Sequence, residues 1–258
     1  TELVFKTGAS AAADVKMILT SGGNLGIGTS SPAAKVHIAA SSYAAPTGGI
    51  DSNLNLLINN TQYAGLGLLG ASNGSSFIHF GDGDNMDVGE IAYVHSDNYM
   101  RFVTNATERM RIDSTGAVTM PAQPAFQVKP ASTQTNIGAD ETVAFGTERF
   151  DQNADFASNT FTAPVTGKYQ FNVSIRIDNW DISANYYQVI ILTSNRSYIT
   201  TWDAALHASA DHDYITLTIS TLADMDANDT SLVQINQNAG AAQADINTES
   251  LFSGYLAC

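Results

Sequence analysis

The feature that most constrains the fold of this chain is a succession of short alternating runs separated by turn residues. The runs mix β-branched and aromatic residues with polar ones at a period of two, which predicts strands with one apolar face. Five such runs follow one another in the first half: Ser76–Phe80, Val88–Val94, Tyr99–Thr104, Glu108–Ile112 and Ala117–Met120. Short connectors rich in Gly, Asn, Asp and Ser separate them, which favours antiparallel hairpins.

Helical periodicity is nearly absent. Only Ser10–Leu19 and Ala204–Ala210 are candidates for a short helix. No apolar run approaches the ~20 residues that a membrane-spanning helix needs, so we expect no membrane insertion. The sequence therefore predicts an all-β protein.

The chain contains an internal repeat. Met17–Ile27 aligns without gaps on Met110–Met120, with apolar residues at the first, third, ninth and eleventh positions and a glycine at the seventh. Upstream of the two copies, Leu3–Thr7 is similar to Met100–Thr104. Each copy predicts a strand, a tight turn and a second strand. Two copies are too few for a solenoid, and we interpret them as one shaft module used twice.

Charge and cysteine content exclude several classes of protein. Charged residues are 14% of the chain against a usual ~25%, and 25 acidic against 11 basic residues give a net charge of −14. Without a general basic field the chain is not expected to bind nucleic acid or anionic lipid. Cys258 is the single cysteine, so an intrachain disulfide is excluded.

A domain boundary is predicted near Met120–Pro124. Two prolines in this segment suit a stiff extended linker, and the acidity increases after it. Residues 1–122 are predicted to form a β-rich shaft and spacer. Residues 125–258 are predicted to form a separate head.

Two resemblances refine this division. Gly23–Ile38 resembles a motif common in bacteriophage tail fibres and related adhesins, and Glu108–Gly116 resembles the usual upstream partner of that motif. The second copy departs from the motif after Gly116, which we interpret as the end of the shaft. The resemblance implies a hairpin-rich, trimeric fibre shaft.

The second half, about Ala125–Cys258, resembles the trimeric globular head of the complement and tumour necrosis factor type, the C1q-like family. Phe126–Val128 fits the opening strand, Phe161–Phe171 is the most specific block, and Ser250–Leu256 fits the terminal strand. This resemblance implies a jelly-roll β-sandwich that assembles as a homotrimer. A dense apolar run at Tyr186–Leu192 is typical of a strand buried on both faces.

No motif of a known catalytic site occurs, and we expect the protein not to be an enzyme. The paired carboxylates Asp178/Asp181 and Asp211/Asp213 leave a glycan-cleaving spike as the least favoured alternative. The glycosidase requirement is spatial, and spacing along the chain does not decide it.

Receptor contact is the function that the resemblance implies. Aromatic rings beside polar groups suit a sugar, and binding residues of β-scaffolds lie on loops. The candidate receptor-binding residues are Trp180, Asp181, Trp202, Asp203, His207 and His212. The alternative is that the tryptophans fill the core or the seam of a trimer.

Calcium is the one cofactor considered. Asp224, Asp226 and Asp229 offer carboxylate oxygens at short spacing, and Asp82–Asp87 is a second acidic turn. The alternative for both clusters is a solvated turn, and no other cofactor is expected.

The combined interpretation is a homotrimeric bacteriophage fibre at the virion surface, on the tail or the capsid. Its head would bind a host cell-surface glycan or protein by multivalent attachment. The alternative is a structural fibre or decoration on the capsid or baseplate, with the head as a trimerisation clamp. Because the chain starts at Thr1 without a signal peptide, we expect a longer protein whose N-terminal region joins other tail or capsid proteins.

Overall fold

The computed structural model describes residues 2–7, 14–39, 50–60, 62–204 and 211–258. The chain forms two compact units, Thr1–Phe77 and Ile78–Cys258. Twenty-two strands make up the elements of the described ranges, which confirms the all-β prediction. The candidate helix Ser10–Leu19 is wrong over Asp14–Leu19, which is a strand. Of the other candidate, Ala204–Ala210, residues 205–210 lie outside the described ranges. Within those ranges, no helix has the length and apolar character to cross a bilayer.

The first sheet has the order β1-β2-β3-β4-β5. Its strands are β1 (Leu3–Thr7), β2 (Asp14–Leu19), β3 (Leu25–Ile27), β4 (Val36–Ala39) and β5 (Leu56–Asn59). The first three strands run antiparallel, whereas β4 pairs with β3 and β5 in parallel.

The second sheet is a five-stranded meander in the order β10-β9-β8-β7-β6. Its strands are β6 (Ser75–Phe80), β7 (Gly89–Val94), β8 (Tyr99–Thr104), β9 (Thr107–Ile112) and β10 (Val118–Thr119). All five predicted strands are present within two residues of their predicted ends. The antiparallel pairing of β7, β8, β9 and β10 follows from their short connectors.

The internal repeat is also a structural repeat, and it covers three strands. Leu3 pairs with Leu19 in β1–β2 as Met100 pairs with Ile112 in β8–β9, and both strand pairs carry a register shift after the next phenylalanine. Equivalent turns follow: the Gly23 amide donates to the Thr20 carbonyl and the Gly116 amide to the Asp113 carbonyl, both at 3.0 Å. Both glycines have positive φ.

One face of this three-strand repeat is apolar in both copies. We call it the repeated face, and its residues are Leu3, Phe5, Met17, Leu19, Leu25 and Ile27 in the first copy and Met100, Phe102, Met110, Ile112, Val118 and Met120 in the second. The paired positions in the strand registers place these side chains on one side of each sheet, and Met120 follows the last paired residue of β10 at the next alternate position.

Residues 125–258 form two six-stranded antiparallel sheets. The first, which we call the A sheet, has the order β13-β11-β22-β16-β19, with β21 also paired to β16. The second, the B sheet, has the order β14-β15-β20-β17-β18, with β12 also paired to β20. The strands are β11 (Ala125–Lys129), β12 (Glu141–Thr142), β13 (Thr147–Asp151), β14 (Phe156–Ala157), β15 (Thr160–Thr162), β16 (Gly167–Trp180), β17 (Tyr186–Thr193), β18 (Ser197–Trp202), β19 (His212–Met225), β20 (Thr230–Asn238), β21 (Asp245–Ile246) and β22 (Leu251–Leu256).

The core of the head lies between these two sheets. Along β16, alternate side chains from Tyr169 to Ile177 are buried, as their period of two predicts. Seven aromatic rings pack at one end: Phe126, Phe145, Phe156, Phe161, Tyr169, Phe171 and Phe252. Gly254 on β22 lies against Phe126 and Phe171, where it leaves room for the two rings.

The segment before the head is bound to it by hydrogen bonds. The Gln152 side-chain amide donates to the carbonyls of Met120 (2.9 Å) and Gln123 (2.7 Å). The Gln123 side chain in turn donates to the Leu256 carbonyl at 2.9 Å. These bonds hold Met120–Gln123 against the last strand, although the domain boundary itself stays a prediction.

Candidate functional site

A polar groove opens at one end of the head, where loops of both sheets meet. Its volume is about 620 Å³. The lining residues are Thr135, Asn136, Asn179, Asp211, Asp213, Gln243 and Asp245. The antiparallel pairing of β16 with β19 sets Trp180 opposite His212, so the end of one strand and the beginning of the other reach the groove together.

Hydrogen bonds between the loops shape the floor of the groove. Asp245 accepts from the Asn136 amide (2.9 Å) and from the Asn179 side chain (3.0 Å). Asp211 accepts from the Ile182 amide (2.8 Å) and from the Gln243 side chain (3.3 Å). Each of these carboxylates therefore joins segments that are far apart in the sequence.

The groove is negatively charged and rich in hydrogen-bonding groups. It contains three carboxylates and three side-chain amides, and none of its lining residues is a lysine or an arginine. Carboxylates accept hydrogen bonds, whereas amides both donate and accept. Such a surface can bind a hydroxyl-rich ligand, which offers both kinds of group in return.

Neither of the two candidate tryptophans is fully exposed at the surface. Trp180 is 2% exposed and belongs to the core, and its ring lies edge-on to Trp202 with 4.8 Å between the ring centroids. Trp202 is half-buried and packs against the same core beside Tyr187. Core filling, the alternative considered for the tryptophans, is the arrangement that the structure describes for Trp180.

Asp181 lies below the groove and holds a loop in place. It is 4% exposed, and its carboxylate accepts from the backbone amides of Ser183 (2.7 Å) and Ala241. Burial of Asp181 raises its pKa, but these amide bonds lower it more, so the pKa lies below its usual value. The Tyr187 hydroxyl accepts from the Asp181 amide at 2.8 Å, and burial raises the pKa of Tyr187 to about 12.

Of the remaining candidate binding residues, neither Asp203 nor His212 is among the lining residues of the groove. Asp203 is half-buried after β18. His207 lies outside the described residues, and only the backbone position of His212 is described, at the start of β19. The neighbouring pair Asp211/Asp213, considered above as carboxylates that could act together, does line one groove.

The candidate calcium ligands make contacts within the protein. Asp224 forms an ion pair with Arg196 at 2.9 Å. Asp229 accepts from the Asp226 amide and from the Asn195 side chain, both at 2.8 Å. Among the residues that the structure describes, no group of three or more His, Cys, Asp or Glu side chains is arranged to hold a metal ion. The calcium site stays a prediction.

Sequence reasoning missed four lining residues of the groove: Thr135, Asn136, Gln243 and Asp245. They lie in polar stretches with no motif and come together only through the sheet topology. The candidates Trp180 and Asp181, and Trp202 and Asp203, have the signal that these four residues lack, which is an aromatic residue beside a polar one.

Comparison with known proteins gives the family of the head. No curated protein sequence matches the chain. Among solved structures, the globular domain of zebrafish complement 1qA protein is similar, with 16% sequence identity and a TM-score of 0.41 over 53% of this chain and 98% of the zebrafish chain. Murine APRIL, crystallised at pH 8.0, is similar with 11% identity and a TM-score of 0.39 over 52% of this chain and 98% of its own. Residues 125–257, just over half of the sequence, match the C1q domain, and the chain therefore belongs to the C1q domain family.

Proposed function

We propose that this protein is a non-enzymatic bacteriophage fibre at the virion surface, whose C1q-type head binds the host cell as a homotrimer. The polar groove of the head is the observation that carries the proposal. Three grooves on one rigid body would raise avidity without any new contact, provided that the receptor is dense enough to engage more than one.

The outer face of the A sheet supports self-association of the head. Four large side chains on this face are between 49% and 63% exposed: Tyr255 (49%), Phe150 (50%), Leu222 (54%) and Tyr214 (63%). Leu222 and Tyr255 lie on either side of Gln170, because both are paired with it. A shallow cavity on the same sheet is lined partly by short polar side chains, among them Asn172, Ser174 and Ser220, and would leave room for a second subunit.

The charge of the chain restricts the class of receptor. Each copy carries −14 and the groove contributes three carboxylates, so a polyanionic receptor would be repelled. A neutral glycan matches the groove better, because its hydroxyl groups donate to carboxylates and pair with amides. We therefore propose a neutral cell-surface glycan as the receptor.

A second candidate function is a structural fibre or decoration on the capsid or baseplate. The burial of Trp180 favours it, because the aromatic anchor expected of a receptor site packs the core instead. In this case the head would serve as a trimerisation clamp, and the groove would have no receptor.

The first experiment is the solution mass of the full chain by light scattering. We expect three times the chain mass. A monomer at micromolar concentration would refute both the trimeric assignment and the avidity mechanism.

The second experiment measures binding of the fluorescent chain to arrayed neutral and anionic bacterial glycans and to intact bacteria. We expect saturable binding to a neutral glycan, and a loss of about tenfold, or ~1.4 kcal/mol, on replacing Asp213→Asn together with Asn179→Ala. Asp87→Asn removes one charge from the exposed β6–β7 connection and should leave binding unchanged. A trimer that binds neither glycans nor cells would favour the structural fibre.

A further inference from the structure

The repeated face, defined above, leaves several large apolar side chains of both shaft modules in contact with solvent. In the first copy Leu3, Phe5 and Leu19 are 56%, 47% and 43% exposed. In the second copy Val118 and Met120 are 51% and 46% exposed. A soluble protein seldom exposes a contiguous apolar patch of this kind unless a partner covers it.

Several side chains on the opposite faces of the two modules are already buried or paired within the chain. In the first module Ile18 points to that side and is 5% exposed. In the second module Glu90 accepts from Arg101 at 2.7 Å and contacts His79 at 3.1 Å. Arg111 stacks on the Tyr99 ring with 4.0 Å to its centroid. Burial in one copy and ion pairing in the other cover much of the opposite face, although Val4 is still 36% exposed there.

The two modules share the apolar character of one face and differ in the residues of the other. All six positions of the repeated face are apolar in both copies, whereas Ile18 and Gly26 on the opposite face correspond to Arg111 and Thr119. A requirement common to both modules therefore acts on one face only. Packing within a module does not explain it, because the two modules pack their opposite faces in different ways.

A second copy of this chain fits the repeated face better than an unrelated partner. The occupant must present an uncharged apolar surface twice, in the same order along its sequence, and another copy does so by symmetry. Like charges also act against contact elsewhere, since each chain carries −14 and the repeated face carries no charged residue. Contact at this face therefore brings the copies together where their repulsion is least.

The size of the surface is adequate for stable association. Seven of the twelve side chains are at least 36% exposed. Together the twelve leave roughly 800 Å² accessible per chain, which is about one partner's share of a standard interface. Burial at ~25 cal/mol per Å² makes this a substantial contribution to assembly.

We infer that the repeated face is a homotypic interface, through which the shaft modules of neighbouring copies pack against each other along the fibre. The inference rests on the proposed homotrimer and adds a second contact surface to that of the head. Both modules then contribute to assembly, independently of the outer face of the A sheet.

The test uses thiol labelling of the full chain with Cys258 replaced by serine. Val118→Cys places a thiol on the repeated face, and Thr119→Cys places one on the opposite face of the same strand. Leu3→Cys and Val4→Cys make the same comparison in β1. Maleimide labelling should be about tenfold slower on the repeated face than on its control, and the rates should become equal in denaturant. A bifunctional maleimide should join chains through Val118→Cys and not through Thr119→Cys.

The outcomes separate this inference from the proposed function. A trimer with protected, cross-linkable thiols on the repeated face supports both. A trimer in which the paired positions label at equal rates overturns the shaft interface and leaves the trimeric head intact. A monomeric chain overturns both. Protection that persists in a monomer shows that another part of the same chain covers the face, and it also refutes the inference.

Discussion

Gly254 is the position in the head where the least added volume should have the largest effect. A Cβ added to this residue would lie 2.6 Å from Cδ1 of Phe171 and 2.8 Å from Cε1 of Phe126. Carbon atoms at optimal contact are about 3.5–4.0 Å apart, so both rings would have to move by about an ångström. Neither ring has room to do so, because the two are almost fully buried and pack against Phe252 at 5.7 Å and 4.9 Å between centroids.

The expected cost of Gly254→Ala follows from this geometry. Adding a methyl group to a packed core costs about 1–3 kcal/mol, and contact with two rings favours the upper end. The φ of Gly254 lies outside the left-handed region, so the penalty is steric and not conformational. For a domain of this size, 3 kcal/mol corresponds to a fall in Tm of about 10 °C.

The assay is thermal unfolding of the full chain at one fixed protein concentration, followed by near-ultraviolet circular dichroism. Ser253→Ala is the matched control, because Ser253 lies next to Gly254 on the outer face of the A sheet and should change stability by less than ~0.5 kcal/mol. Gly254→Ala combined with Phe171→Leu should recover about 1 kcal/mol relative to additivity, since the smaller side chain relieves one clash. A Gly254→Ala protein that melts within about 1 °C of the parent would refute the steric argument.

Three further perturbations test the polar contacts. Tyr187→Phe leaves the buried Asp181 amide without its acceptor and should cost about 1–3 kcal/mol at pH 7. Because the pKa of Tyr187 is raised to about 12, the parent should also lose stability as pH rises from 10 to 12. Thermal melts across this range should show a smaller loss for Tyr187→Phe. Because the pKa of Asp181 is lowered, its ionised carboxylate stabilises the fold above pH ~4, and this stabilisation is lost as pH falls through the folded-state pKa. The Tm difference between Asp181→Asn and the parent should therefore shrink below pH 4. Glu90→Gln should weaken the β7–β8 pairing beside Arg101, seen as faster amide exchange in Gly89–Thr104.

Strands were predictable because their period of two is a local property. Tyr99–Thr104 was predicted with the bounds that the structure shows, and the buried alternation of Tyr169–Ile177 follows directly from β geometry. The candidate helix over Ser10–Leu19 is wrong because Asp14–Leu19 pairs with β1, and Met17–Leu19 also pairs with β3. A short window of sequence does not show these pairings.

The candidate site was less predictable because it depends on contacts between distant segments. Trp180 has polar neighbours in sequence, yet the packing of Trp202 and Tyr187 around it determines its burial. Asp245 reaches the groove because β21 pairs with β16, and its carboxylate accepts from Asn136, more than a hundred residues earlier in the chain. Neither contact has a signature in the local sequence.

The tight turn of the repeat gives a last prediction, in which the cost of backbone conformation can be measured without any steric clash. Gly116 has φ of +89°, and no atom lies within 4 Å of the position that a Cβ would take, so any cost of substitution comes from the left-handed backbone alone. Gly116→Ala should cost about 1 kcal/mol, and Gly116→Asn about half of that, because asparagine tolerates positive φ better than other non-glycine residues. Gly83→Ala is the control, since Gly83 also has open space around it but lacks a positive φ. Amide exchange of β9 and β10 measures the local effect. If alanine at position 116 were as well tolerated as at position 83, the turn would not depend on glycine, and the equivalence of the Gly23 and Gly116 turns would have no conformational basis.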